Sequence, residues 1–250
     1  MTILLLCEYY RVDGASVIER ELRIVGGQAA KIAQFPHAAA LVLRLATPRN
    51  HAAHCLEDIL NLDVLAGLID ITQNPQYRQR VELRDIRQHP EYDNDSLLND
   101  IALIHLIRRI PFNRLMQKIA LPSRSLINNR FTGSLGTIIG WGQTSNVPRQ
   151  ISETLRFVRL PVAPDQLCIN IYNTGFRYFN PSNICISGAR GSTCNGDSGS
   201  SMQQTINGEV TIIGIVSFGR TSCESGDPVA MTRVTSYLDW IAANSNVILT

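Results

Sequence analysis

With 250 residues, 44% of them hydrophobic, the chain can bury one large core or two small ones. Its formal net charge of +2 comes with no basic stripe interleaved with aromatics, which excludes a nucleic-acid-binding face. No run approaches the eighteen apolar residues of a membrane span, and there is no low-complexity tract or residue-level repeat, so a soluble product without a membrane partner is expected.

The first 23 residues read as a leader or propeptide. Residues 3–7 are apolar, but the run is shorter than a usual signal-peptide core and lacks a basic region before it, as in a curtailed leader. Cys7 is discarded if the chain is cut after Arg23. From Ile24 onward, short apolar runs alternate with clusters of Gly, Pro, Asn and Asp, the spacing of an all-β protein. The best strands are residues 41–43, 64–66, 101–107, 136–141, 155–160 and 211–218, several rich in β-branched side chains. Asn94-Asp95-Ser96 forms a short glycosylation motif before Asp100. Only the tail reads as helix, because Val234, Tyr237, Leu238 and Ile241 recur at i, i+3, i+4 and i+7. The six cysteines leave fifteen full pairings open. The histidines show no convincing ligand spacing, and neither a metal nor a cofactor is expected.

The chemistry concentrates in Gly196-Asp197-Ser198-Gly199, with Cys194 two residues before it. A serine hydroxyl is a poor nucleophile at neutral pH; it needs an imidazole to take its proton and a carboxylate to orient that imidazole. Ala52-Ala53-His54-Cys55 and Asn99-Asp100-Ile101-Ala102-Leu103 supply both upstream, and Arg23-Ile24-Val25-Gly26-Gly27 precedes them. Taken singly, each has an ordinary reading as a turn, a core histidine or a loop residue. Together and in this order they resemble the trypsin-like serine proteases, over residues 24–247, with the secreted chymotrypsin-like and elastase-like members nearest.

The resemblance implies two six-stranded antiparallel β-barrels and a C-terminal α-helix. Barrel 1 would occupy about residues 24–120, barrel 2 about 121–233 and the helix about 234–245, with His54 and Asp100 on the first barrel and Ser198 on the second. His54 would be the general base, Asp100 its orienting group, and the N–H groups of Gly196 and Ser198 the oxyanion hole. A cut between Arg23 and Ile24 would free an ammonium to pair with Asp197. Ser192, Ser217, Gly219 and Val229 would line the primary pocket. Ser192 stands where trypsins carry an aspartate, so apolar side chains are expected there and basic ones disfavoured, unless Asp227 points inward. Cys168–Cys185 and Cys194–Cys223 would be disulfides, in keeping with secretion. Polypeptide substrates, an activating protease, protein inhibitors and a monomeric state complete the expectation.

The chain departs from the family before His54. Only thirty residues separate Ile24 from His54, about a dozen fewer than the family places there. The strand whose cysteine would pair with Cys55 is missing, and His51 replaces the usual Ser or Thr. A barrel that loses a strand exposes edge groups and core side chains. The rival expectation is therefore a catalytically impaired homologue that binds partners. A lipase-type hydrolase fits neither the Gly-x-Ser-x-Gly pattern nor the His, Asp, Ser order.

Overall fold

Runs of Val, Ile and Leu too short for helices make strands the main regular element of this molecule. The computed structural model describes residues 2–5, 24–45, 59–146, 151–175, 178–220 and 222–249. In chain order the strands are β1 (Thr2–Leu5), β2 (Gln28–Ala29), β3 (Ala39–Leu45), β4 (Ile59–Ala66), β5 (Tyr77–Val81), β6 (Ile86–Gln88), β7 (Ala102–His105), β8 (Leu135–Gly140), β9 (Arg156–Pro161), β10 (Asn183–Ile186), β11 (Ser201–Ile206), β12 (Glu209–Phe218) and β13 (Val229–Arg233). Among the described residues there are also two α-helices, α1 (Asp165–Tyr172) and α2 (Leu238–Ala243), and three short 3-10 turns.

The strands form an all-β, two-barrel fold. The second barrel is one continuous sheet in the order β10-β13-β12-β11-β8-β9-β2. Its hairpin between β11 and β12 turns on Asn207 and Gly208, both at positive φ, the pair of conformations a two-residue hairpin needs to match the twist of its strands. Its core is built by Ile24, Ile138, Leu160, Ile186, Met202 and Met231 among others. The first barrel is two three-stranded sheets, β3-β4-β5 and β1-β7-β6, over a core that includes Leu41, Leu62, Val64, Val81 and Ile104. β5 shows the half-buried pattern plainly: Tyr77, Gln79 and Val81 are buried, and Arg78 and Arg80 are exposed. On β4, the buried Asp63 receives both arginines. Burial alone would raise its pKa, but hydrogen bonds and charges from Arg78 and Arg80 outweigh that and hold it below the usual value.

Two apolar clusters join the barrels. One packs Ile101 and Leu103 against Ile212, Ile215, Leu238 and Ile241. The other packs Ala38, Ala40 and Leu65 against Ile139, Trp141 and Leu155.

The observed elements differ from the sequence reading in three places. The strand expected over residues 101–107 is only Ala102–His105. The tail helix begins as a 3-10 turn at Val234–Tyr237 and is α-helical only from Leu238 to Ala243. The sequence reading also passed over α1, whose β-branched Ile169 and Ile171 hide the signal that Cys168 and Tyr172, four residues apart, are its buried face. Residues 2–5 pair with β7 as a strand, in register from Thr2 against His105 to Leu5 against Ala102.

Candidate active site

Asp100 lies in the loop that enters β7, and the second barrel holds it. Its carboxylate accepts a 2.6 Å hydrogen bond from Ser217 Oγ on β12, and its carbonyl accepts one of 2.7 Å from Thr232 Oγ1 on β13. Ser217 and Thr232 are both buried, so the donors of both bonds are shielded from bulk water. The preceding residue is braced too. Asn99, at φ 55°, donates through its side chain to the Glu91 carbonyl and accepts from the Tyr237 hydroxyl.

Ser198 lies on the tight turn that leads into β11. The turn closes on Cys194 and Asp197, with Asp197 N–H donating to the Cys194 carbonyl at 2.9 Å and Ser200 N–H to the Asp197 carbonyl at 2.8 Å. It is then clamped to β12: Gly199 N–H donates to the Val216 carbonyl, and Val216 N–H donates to the Ser200 carbonyl. Val216 thus pairs with the residues just after Ser198, and its neighbour Ser217 binds Asp100. Two consecutive residues of one strand bring the serine turn and the carboxylate together. Gly196, at φ 93°, supplies the left-handed backbone that the turn requires. Among the described residues, neither the Gly196 nor the Ser198 N–H donates to a protein acceptor.

Asp197 is fully buried. One carboxylate oxygen accepts from Gly142 N–H at 2.8 Å and the other from Cys194 N–H at 2.9 Å. Burial pushes its pKa up to about 7, against the opposing pull of those two hydrogen bonds. The carboxylate fits only because its neighbours are glycines: a Cβ on Gly142 would lie 2.3 Å from the Asp197 carboxyl carbon, and one on Gly140 would lie 2.2 Å from its oxygen. Ile24 is also fully buried, in the core of the second barrel. The next residue, Val25, accepts a hydrogen bond from Ser192 N–H through its carbonyl.

Of the residues expected to line the primary pocket, Ser192 and Val229 are buried and Gly219 is exposed. Ser192 Oγ donates to the Thr193 carbonyl. A Cβ on Gly219 would lie 3.8 Å from a Val229 methyl, so these two positions are neighbours. Asp227 is committed elsewhere, accepting from Ser225 Oγ at 2.8 Å and lying 3.7 Å from the exposed Arg220 guanidinium. Tyr172 and Phe218, which sequence reasoning missed, pack edge to face behind the wall, and the Tyr172 hydroxyl donates to the Pro228 carbonyl. Burial, with the Asp227 charge, pushes the Tyr172 pKa up to about 12. The four-residue spacing from Cys168 was the available signal.

The disulfides Cys168–Cys185 and Cys194–Cys223 are both present. The first ties α1 to β10, and the second ties the serine turn to the loop beside the pocket. His54, Cys55, His51, Arg23 and Cys7 lie outside the described residues. Among the described residues no group of three His, Cys, Asp or Glu could hold a metal ion, and no helix is long and apolar enough to cross a membrane. Beside Gly196, a cleft of about 250 Å³ is lined by Ala40, Val42, Leu65, Trp141 and Ile151.

A serine-bearing turn and a carboxylate meeting at the seam of two antiparallel barrels are the marks of a chymotrypsin-fold serine endopeptidase. The family model described as Trypsin matches residues 24–241, and the chain belongs to the trypsin family. It is similar to brachyurin of Leptuca pugilator, 33% identical over 236 residues that cover 90% of this chain and 99% of that protein. It is similar to a collagenase of Hypoderma lineatum, 34% identical over 253 residues covering 94% and 92% of the two chains. The solved structure of HL collagenase superposes with a TM-score of 0.78 at 30% identity, covering 90% of this chain and all of that one.

Proposed function

We propose that this serine endopeptidase is a secreted zymogen-type enzyme that cleaves polypeptides through His54, Asp100 and Ser198. The observation that carries the reading is the arrangement on β12, where Val216 holds the serine turn and Ser217 holds Asp100. In the proposed cycle His54 takes the Ser198 proton as Oγ attacks the scissile carbonyl, and Asp100 orients the ring and stabilises the imidazolium. The N–H groups of Gly196 and Ser198 receive the oxyanion, a contribution of about 3 kcal/mol for one such donor. His54 then protonates the leaving amine, and water repeats the sequence on the acyl-enzyme.

Residues 1–23 act as the propeptide and residues 24–250 as the protease domain. A cut after Arg23 gives Ile24 a free ammonium, whose natural partner is the buried Asp197 carboxylate. The pairing supplies the positive charge that a fully buried carboxylate lacks in the uncut chain. The primary pocket takes apolar side chains. Ser192 offers no charge, Asp227 is bound to Ser225 and Arg220, and Val229 shortens the slot toward Leu, Met or smaller. An activating protease, protein inhibitors and a monomeric enzyme belong to the same reading.

A second reading has one observation in its favour. The shortened stretch before His54 removes a barrel segment beside the catalytic histidine, which fits a homologue that binds partners without turning over. Active-site titration separates the two. After controlled cleavage at Arg23, a fluorophosphonate should label one site per chain, and Ser198→Ala should abolish the label. A folded, cleaved sample that takes no label supports the binder and ends the peptidase reading.

A further inference from the structure

We infer that in the uncut chain residues 2–5 are a working strand of the first barrel, and that the barrel of the uncut chain depends on it. This is a structural role beyond that of the propeptide proposed above, filled before any cut at Arg23.

The backbone register carries the inference. β1 pairs antiparallel with β7 over all four β7 residues, Ala102 to His105. The other edge of β7 is taken by β6, from Ile86 against Ile104 to Gln88 against Ala102. Among the described residues, β7 is therefore a central strand only because β1 is present. Without β1, the described part of the sheet is an isolated pair, which is marginal in water, with one edge of β7 open. That strand matters to the site, since Asp100 stands two residues before Ala102 and its neighbours Leu103 and Ile104 are buried. Among the described residues, the first barrel reaches six strands only when β1 is included.

The connection is long enough to allow this. The segment between Leu5 and Ile24 can span up to about 60 Å when extended. Ile24 can therefore stay buried in the second barrel while β1 sits in the first. A tethered strand also acts at a high effective concentration, of millimolar order, whereas a cut after Arg23 would make the pairing bimolecular.

The test needs no catalysis, so it stands apart from the peptidase reading. Antiparallel pairs alternate between bonded and non-bonded, so the double substitution Ile3→Pro/Leu4→Pro removes at least one ladder donor whichever alternation holds. In the intact chain, the two β7 amides that face β1 should exchange with solvent at the slow rate of the neighbouring β6–β7 ladder. In the double-proline variant they should exchange about tenfold faster or more, with a fall in Tm of several degrees. Should the variant fail to fold, the exchange rates of the unsubstituted chain decide alone. Fast exchange at those two amides in the intact protein overturns the inference, as does a folded variant with unchanged exchange and Tm.

Discussion

The two barrels solve the same closure problem with different means. The second is one continuous seven-stranded sheet, carries both disulfides and anchors the serine turn, Asp197 and the pocket wall. The first is two separate three-stranded sheets, one of them completed from the N-terminus, and no disulfide ties it among the described residues. The difference teaches where this protease stores its order. The machinery that must be rigid is fixed in the covalently braced barrel, and Asp100, though carried by the looser one, is bonded across the seam to Ser217 and Thr232.

The sharpest way to break that picture is to disturb the Asp197 cradle. Gly142→Ala puts a Cβ about 2.3 Å from the Asp197 carboxyl carbon. The cleaved enzyme should lose about 100-fold or more in kcat/KM, comparable to losing an oxyanion donor, with little change in far-UV circular dichroism. An active Gly142→Ala enzyme would show that the cradle does not govern the turn.

Next in size is the disulfide. Replacing Cys194 and Cys223 by alanine should cost about 2–5 kcal/mol in denaturant unfolding. A smaller loss than that caused by the β1 double-proline variant would reverse the ranking of the barrels.

A third effect separates the barrels by pH. Asp197 in the uncut chain has a folded pKa of about 7, above its unfolded value of 3.8. It binds a proton more readily folded than unfolded, so its contribution is full below pH 4 and declines as pH rises toward 7. His37, where the chain enters β3, has its pKa lowered by burial to about 4 from 6.5, and the Gln203 side chain only partly offsets this. It must stay neutral in the fold, so its contribution is lost as pH falls from 6.5 to 4. The two slopes oppose each other. Asp197→Asn in the uncut chain should leave stability rising with pH across this window, and His37→Leu should leave it falling; thermal melts at several pH values read both.

The smallest expected effect is on selectivity. Val229→Gly should shift kcat/KM toward aromatic over medium aliphatic side chains by about tenfold, the scale of a few methylenes in an apolar pocket. Unchanged ratios on matched peptide substrates would show that Val229 does not set the pocket depth.

Much of this was legible in the residues. β8, β9 and β12 stood out as β-branched apolar runs bounded by turn residues, and the Gly196–Gly199 turn was recognisable because its chemistry is local. The harder features are those in which distant segments meet. Ser217 could be read as a pocket residue, but its hydrogen bond to Asp100 joins positions 117 residues apart, and Thr232 is farther still. No periodicity encodes such a contact. α1 was hidden because its isoleucines favour strand as readily as helix. β1 was hidden because a short apolar run looks alike whether it heads a leader or adds to a sheet.

The bond from Thr232 to the Asp100 carbonyl makes the seam a mechanical interlock. Any hinge opening that separates the barrels must pull the acidic group away from the strand that positions the nucleophile. Gentle heating or mild denaturant should therefore silence the enzyme before either barrel melts, leaving a population that is folded by spectroscopy yet chemically mute.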